Sequence, residues 1–131
     1  MPEGLITLAS RHGPKETMDR LAAAVAEKGM TVLARIDHAG AAAKVGIELR
    51  PTEVLIFGNP KAGTPLMQSA QTAGIDLPLK ALVWQDAAGA TWLSYNDPTW
   101  VAQRHGLDAK ATIDAMTAAL RAITGKATTP P

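Results

Sequence analysis

The sequence lacks cysteine and has little excess charge of either sign. Without cysteine, the chain forms no disulfide and supplies no thiolate for catalysis, for a zinc ribbon or for an iron–sulfur cluster. The 13 lysine and arginine residues nearly balance the 12 aspartate and glutamate residues, and no dense basic run occurs. We therefore expect no nucleic-acid partner, because binding to a phosphate backbone requires concentrated positive charge.

Long hydrophobic runs are absent as well. No apolar run approaches the roughly 20 residues that span a bilayer, and near the N-terminus only Leu5 to Ala9 is apolar. We therefore expect no membrane span and a cytoplasmic location, with the periplasm as the alternative if a leader peptide has been removed. The three histidines, His12, His38 and His105, are too widely spaced for a zinc motif, so no metal site is predicted.

The pattern of apolar residues predicts one domain. At 131 residues the chain is long enough for one hydrophobic core and too short for two ordinary domains. Apolar spacing predicts the order strand, helix, strand, short helix, strand, helix, hairpin, helix, helix. This order predicts an α+β domain over residues 1–125, with a mixed or antiparallel sheet and helices packed mainly on one face. Residues 126–131 are expected to form a frayed tail.

The segment from Phe57 to Gly74 carries the strongest local signal. It follows an apolar run typical of a buried strand, and Thr64 with Pro65 predicts the N-cap and first residue of a helix. Between them lies a glycine-bracketed loop, residues 58–64. Free amides at a helix N-terminus favour anions, and Lys61 adds a positive charge, so the loop is a candidate site for a carboxylate. The alternative is that its glycines only permit a tight turn.

The same loop has the glycine spacing of a nucleotide-binding P-loop. A P-loop requires lysine directly after its second glycine, followed by serine or threonine. Here Thr64 and Pro65 follow Gly63, and Lys61 lies inside the loop. This mismatch argues against nucleotide hydrolysis.

Five short motifs occur in a fixed order over most of the chain. They are Arg35 to His38 (RIDH), Leu49 to Thr52 (LRPT), Phe57 to Thr64 (FGNPKAGT), Leu77 to Leu79 (LPL) and Ser94 to Pro98 (SYNDP). Together they resemble the DUF302 family of domains of unknown function, from about Ile6 to Ile123. The resemblance implies a compact α+β domain of a bacterial or archaeal protein that forms a dimer. It implies no reaction, so the catalytic residues are unknown.

The candidate ligand-binding residues form three patches in the sequence: Asn59, Lys61, Gly63 and Thr64 in the loop; His38 after a strand; and Tyr95, Asn96 and Asp97 after the hairpin. We interpret the chain as a soluble, homodimeric binding or accessory domain that takes a small anionic ligand at the 58–64 loop and His38. Whether it is an enzyme stays open, with no catalysis as the favoured interpretation.

Two alternatives use some of the same residues. In the first, haem b binds without covalent attachment, because no CxxCH motif exists, and His38 with Met67 supplies the axial ligands. Methionines are also common core residues, which is the simpler interpretation of Met67. In the second, a small enzyme acts on an anionic metabolite held by Lys61, with Asp97 or His38 as the proton carrier.

All three tryptophans lie in the second half of the sequence. Trp84 and Trp92 fall on the predicted hairpin, and Trp100 falls on the next helix. They are expected either in the core or at the centre of a homodimer interface, where tryptophan is enriched.

Overall fold

The computed structural model describes residues 2–130, in which strands and helices follow the predicted order. Met1 and Pro131, at the outer ends of the predicted domain and tail, lie outside the described residues. The strands are β1 (Leu5–Ala9), β2 (Thr31–Asp37), β3 (Thr52–Gly58), β4 (Leu79–Gln85) and β5 (Thr91–Asn96). The helices are α1 (Pro14–Glu27), α2 (His38–Lys44), α3 (Pro60–Ser69), α4 (Pro98–His105) and α5 (Lys110–Thr128), with a short 3-10 helix at Gln71–Ile75.

The strands form one sheet in the order β1-β5-β4-β3-β2, and every neighbouring pair is antiparallel. This confirms the predicted α+β class and selects the antiparallel of the two expected sheet types. The predicted hairpin is the pair β4 and β5, in which Trp84 lies opposite Trp92. β1 and β2 are the two edges of the sheet.

The hydrophobic core lies between one face of the sheet and the helices α1 and α5. Alternate strand residues such as Leu55, Val83 and Leu93 point into it and are fully buried or nearly so. They meet Leu21 of α1 and Leu120 of α5, which belong to the buried sides of these two helices. Each such leucine stabilises the fold by about 1.5–3 kcal/mol through its burial.

The opposite face of the sheet, which we call the open face, is covered by neither α1 nor α5. Its central residues are Val54, Leu82, Trp84, Trp92 and Ser94, which share this face by strand register. The four apolar residues of this set are only partly buried. The helices thus pack mainly on one face, as predicted.

The start of α3 differs from the sequence prediction. The helix begins at Pro60 rather than at Pro65, and its N-cap is Asn59, whose Oδ1 accepts a hydrogen bond from the Lys61 amide at 3.0 Å. Asn59 followed by Pro60 is itself a pairing of N-cap and first-turn proline, and it occurs one turn before the pairing of Thr64 and Pro65. The predicted loop 58–64 is therefore mostly the first turns of a helix.

The C-terminal end of α5 also differs from the prediction. The helix has Ala109 as its N-cap and continues through Lys126 to Thr128. The prediction of a frayed tail is wrong for residues 126–128, because Ala127 extends the buried side of the helix and is fully buried. The Thr128 carbonyl also accepts a hydrogen bond from the Arg11 amide at 2.8 Å, which ties this end of α5 to the segment after β1.

Among residues 2–130, no helix combines the length and the hydropathy needed to cross a bilayer.

Candidate ligand cavity

The 58–64 segment and His38 lie at opposite ends of the sheet. In the antiparallel pair of β2 and β3, Thr31 lies opposite Gly58, and Asp37 lies opposite Glu53. His38 directly follows Asp37, so about five strand residues, or about 17 Å at ~3.3 Å per residue, separate it from Gly58. His38 is exposed at the start of α2, which Asp37 caps through a hydrogen bond from the Gly40 amide. The two predicted patches do not share one cleft.

The predicted cluster of Tyr95, Asn96 and Asp97 does not converge on a ligand site either. Tyr95 points into the core and is 5% exposed, and this burial raises the pKa of its phenol. Asn96 lies on the opposite face of the sheet, because successive strand residues alternate. Asp97 is the N-cap of α4, where its Oδ1 accepts a hydrogen bond from the Thr99 amide at 3.0 Å.

The structure also separates His38 from Met67, the predicted pair of haem ligands. Met67 lies on α3, beside the end of the sheet where β3 finishes. His38 lies at the other end, where β3 begins. The two side chains therefore do not face one iron atom, although each separately stays a candidate ligand.

The backbone amides that were predicted to bind an anion are already occupied. The Lys61 amide donates to the Asn59 side chain, and the amides of Ala62 and Gly63 donate to the Asn59 carbonyl at 2.9 and 3.0 Å. Pro60 has no amide hydrogen. Asn59 therefore satisfies the donors at this helix start, and an anion here would have to be held by side chains.

A large cavity nevertheless lies beside this segment. It has a volume of about 920 Å³ and is bounded by the end of β3, the first turns of α3, the start of β2 and the N-terminal half of α5. The predicted residues Asn59, Lys61, Gly63 and Thr64 all contribute to its wall, and so does Met67. Sequence reasoning thus located one side of the cavity, but it gave the segment the wrong local structure.

Most of the cavity wall is apolar, and sequence reasoning missed the residues on the far side. The apolar lining draws on six elements or connections and includes Met30, Leu33, Met67, Leu77, Leu79, Ala111, Ala115, Met116 and Ala119. Ala111, Ala115 and Ala119 recur every four residues along α5 and so form one stripe on that helix. Because alanine has a minimal side chain, this stripe leaves space between α5 and α3. Its spacing is visible in the sequence, but the surface it faces is not.

Two lysines are the charged residues of the cavity wall. Lys28 follows α1, and Lys61 lies in the first turn of α3. Neither of them forms an ion pair with another residue in the range 2–130. No histidine or carboxylate of residues 2–130 contributes to this wall.

A network of polar side chains outside the cavity was also not predicted from the sequence. His105 Nε2 lies 2.5 Å from Asp76 Oδ2, and His105 Nδ1 lies 2.9 Å from the Thr72 hydroxyl. Arg104 donates to the same Asp76 carboxylate at 3.0 Å. The order of hydroxyl, imidazole and carboxylate resembles that of a hydrolase, but these residues connect the 3-10 helix to the end of α4. Because the hydrogen-bonded partners are 28 or more residues apart in the chain, no local signal indicates the network.

The tryptophans divide between the open face and α4. The Trp84 and Trp92 rings stack on the open face with centroids 6.1 Å apart, and their indole N–H groups donate to Ser94 and Asp86. Trp100 of α4 instead covers Gly4, just before β1. None of the three is fully buried.

Comparison with known sequences finds relatives that are longer than this chain. The fluoride-specific ion channel FluC 1 of Brucella suis biovar 1 (strain 1330) is 50% identical over 115 residues, which are 86% of this chain and 45% of the relative. The protein of the same name from Brucella abortus biovar 1 (strain 9-941) is also 50% identical over 115 residues, 86% of this chain and 43% of that relative. The chain therefore spans less than half the length of these curated relatives.

Comparison with solved structures supports the fold. The crystal structure of an uncharacterized conserved DUF302 protein from Bacillus stearothermophilus superposes with a TM-score of 0.82 and covers 96% of this chain and 99% of that one. At 21% identity, this match shows a common fold.

The family profile named "Domain of unknown function DUF302" matches residues 6–123, the range over which the sequence motifs predicted the resemblance. The five motifs, the α+β fold and this match agree, and the chain belongs to the DUF302 family.

Proposed function

We propose that this domain binds a small molecule with a substantial apolar part in the cavity between α3 and α5. The observation that carries the proposal is the cavity itself, with its volume of about 920 Å³ and its largely apolar wall. Small-molecule sites in proteins are typically concave, mostly apolar and about 300–1,000 Å³ in volume. Burial of an apolar ligand there would release water from both surfaces, which is favourable.

The side chains of the wall suit a ligand of irregular shape. Met30, Met67 and Met116 all line the cavity, and their unbranched thioether side chains adapt to different contours. The small side chains of the alanine stripe on α5 leave room for the ligand. A wall of this kind fits apolar ligands without requiring many directed hydrogen bonds.

Binding is tested with the neutral, polarity-sensitive dye Nile red. We expect a saturable rise in its fluorescence with the wild type and at least about tenfold weaker binding to Ala115→Trp, a loss of ~1.4 kcal/mol, because the new indole occupies the cavity. Ala122→Trp is the matched control, because Ala122 is exposed on the same helix and does not line the cavity. The proposal is wrong if the wild type shows no saturable signal or if both variants bind as the wild type does.

Haem b is a more specific candidate for the same cavity, because Met67 lies in its wall. Hemin titration distinguishes the two predicted ligands. A Soret band lost in Met67→Ala and kept in His38→Ala would support haem in the cavity, whereas no saturable spectral change in the wild type would reject it.

We also propose an accessory role. The curated relatives are named as fluoride-specific ion channels, and this chain matches less than half of their length. The region described here has no helix suited to crossing a bilayer. In this proposal the domain binds its ligand next to a separate ion-conducting region and does not itself form the path of the ion.

Self-association is the remaining part of the proposal. The open face is apolar at its centre, and among its residues on β1, β3, β4 and β5 the one charged side chain is Lys80. In a twofold dimer the same surface meets itself, so a nearly uncharged surface avoids opposed like charges. We propose that a second copy of this chain packs on the open face.

A further inference from the structure

We infer that the cavity selects an amphiphile with one anionic head group, such as a carboxylate, over a neutral or cationic amphiphile of the same chain length. This inference rests on the proposed binding function and adds the chemical class of the ligand. It assigns Lys28 and Lys61 as the residues that recognise the head group.

The charged side chains of the cavity wall are all positive. Lys28 and Lys61 are its charged side chains, both are positive, and no carboxylate of the wall neutralises them. The ion pairs described for residues 2–130 involve neither lysine. An anionic group at the cavity therefore gains attraction without having to displace an existing acidic partner.

The cavity wall combines exposed lysines with buried apolar side chains. Lys28 follows α1 and Lys61 lies in α3, and both residues are exposed to solvent. Leu79 and Met116, by contrast, are partly or fully buried and belong to the core-facing wall. A charged head group stays hydrated at the lysines while its alkyl chain reaches the apolar wall, which avoids the large cost of burying a charge.

Because the backbone amides at the N-terminus of α3 are already hydrogen-bonded, the charge of the ligand head group is recognised by side chains. Its first amides are occupied by Asn59, so they contribute no free donors. Thr64 and Thr112 also line the cavity, and a threonine hydroxyl is a hydrogen-bond donor available to a carboxylate. Recognition by lysine ammonium groups and hydroxyls suits a carboxylate that approaches from solvent.

The test compares three ligands that differ only in the head group: dodecanoate, dodecanol and dodecylamine, each used below its aggregation concentration. Displacement of Nile red from the wild type measures their relative affinities. We expect dodecanoate to bind about tenfold more tightly than dodecanol, and dodecylamine to bind most weakly. The preference should decrease as salt is raised, because both lysines are exposed to screening.

Charge-neutral variants identify the residues. In the double variant Lys28→Gln with Lys61→Gln, dodecanoate is expected to lose its advantage, while dodecanol binds as it does to the wild type. Lys44→Gln is the control, because Lys44 is exposed on α2 and does not line the cavity. It should keep the full preference for dodecanoate.

The possible outcomes separate this inference from the proposed function. Equal binding of dodecanoate and dodecanol to the wild type would overturn the head-group selectivity and leave cavity binding intact. Failure of Nile red and all three amphiphiles to bind would overturn both. If sedimentation showed that dodecanoate converts a dimer into monomers, the cavity would be an interface between copies, and the inference would also be wrong.

Discussion

At the scale of single residues, short polar side chains organise the turns and helix ends of this domain. Asn59, Asp37 and Asp97 each cap a helix through a side-chain oxygen. Asp86 serves the β4–β5 hairpin in the same way, because its Oδ1 accepts hydrogen bonds from the amides of Ala88 and Ala90, each at 2.9 Å. Residues that looked like candidates for ligand chemistry are often these local caps.

Asp86 gives the hairpin a dependence on pH. The pKa of the Asp86 carboxyl lies below its ordinary value of 3.8. The main cause is the hydrogen bond that the carboxylate accepts from the Trp92 indole, and the hydrogen bond from the Ala90 amide is a smaller cause. A carboxyl with a lowered pKa in the folded state stabilises the fold above its unfolded pKa, and this contribution is lost as pH falls through the folded pKa. The wild type should therefore lose its advantage over Asp86→Asn in acid.

Thermal unfolding followed by circular dichroism at pH 7 and near pH 3 measures this effect. We expect Asp86→Asn to have the lower Tm at pH 7 and the difference to shrink at the acidic pH. Asp108→Asn is the control, because Asp108 is exposed and makes no side-chain hydrogen bond with another described residue. A difference of equal size at both pH values would contradict the assignment.

At the scale of elements, close contacts decide which substitutions each connection tolerates. Gly4 precedes the edge strand β1, has φ +76°, and lies directly under the Trp100 indole of α4. The Asp97 amide donates to the Gly4 carbonyl at 2.8 Å, so the start of β1 is joined to the start of α4. Glycine is required here both by the backbone angle and by the ring above it.

Gly4→Ala is expected to destabilise the domain more than an alanine at another positive-φ glycine. The strain of the left-handed backbone costs about 1–2 kcal/mol, and displacing the indole adds about 1–3 kcal/mol. Gly89→Ala is the matched control, because Gly89 has φ +87° and no atom lies within 4 Å of an added Cβ. Chemical denaturation gives both free energies of unfolding. Equal losses in the two variants would show that the contact with Trp100 contributes nothing.

The elements also show where local sequence signals compete. Two pairings of an N-cap residue with proline occur one turn apart, and the chain uses Asn59 with Pro60 to begin α3. Pro65 therefore lies inside α3. A proline inside a helix generally destabilises it, because proline has no amide hydrogen to donate to the helical hydrogen bond. The sequence alone contains both signals, and in the structure α3 has already begun before Leu66, which is 1% exposed.

At the scale of the whole molecule, the two surfaces of the sheet have different roles. The helix-covered face holds the core, while the open face leaves Val54, Leu82 and Trp84 partly accessible. A shallow depression of about 450 Å³ crosses this face beside these residues. Exposed apolar surface of this kind is typical of a protein interface.

Sedimentation velocity over a range of micromolar concentrations tests the proposed dimer. The wild type should sediment as a dimer, and Leu82→Lys should shift it to monomer by placing a charge at the centre of the open face. Ile75→Lys is the control, because Ile75 is 70% exposed on the 3-10 helix, away from this face. Circular dichroism verifies that each variant is folded. A monomeric wild type, or equal effects of both substitutions, would disprove the dimer on this face.

The sequence by itself determined the class of fold, the order of the elements and the family, because these depend on local periodicity, capping residues and short motifs. It also identified one wall of the cavity through Asn59, Lys61 and Thr64. Only the tertiary structure decided that His38 lies at the far end of the sheet and that Tyr95, Asn96 and Asp97 point in different directions. It alone placed the alanine stripe of α5 opposite α3, because the space between two helices depends on contacts between residues distant in the chain, which no local pattern encodes.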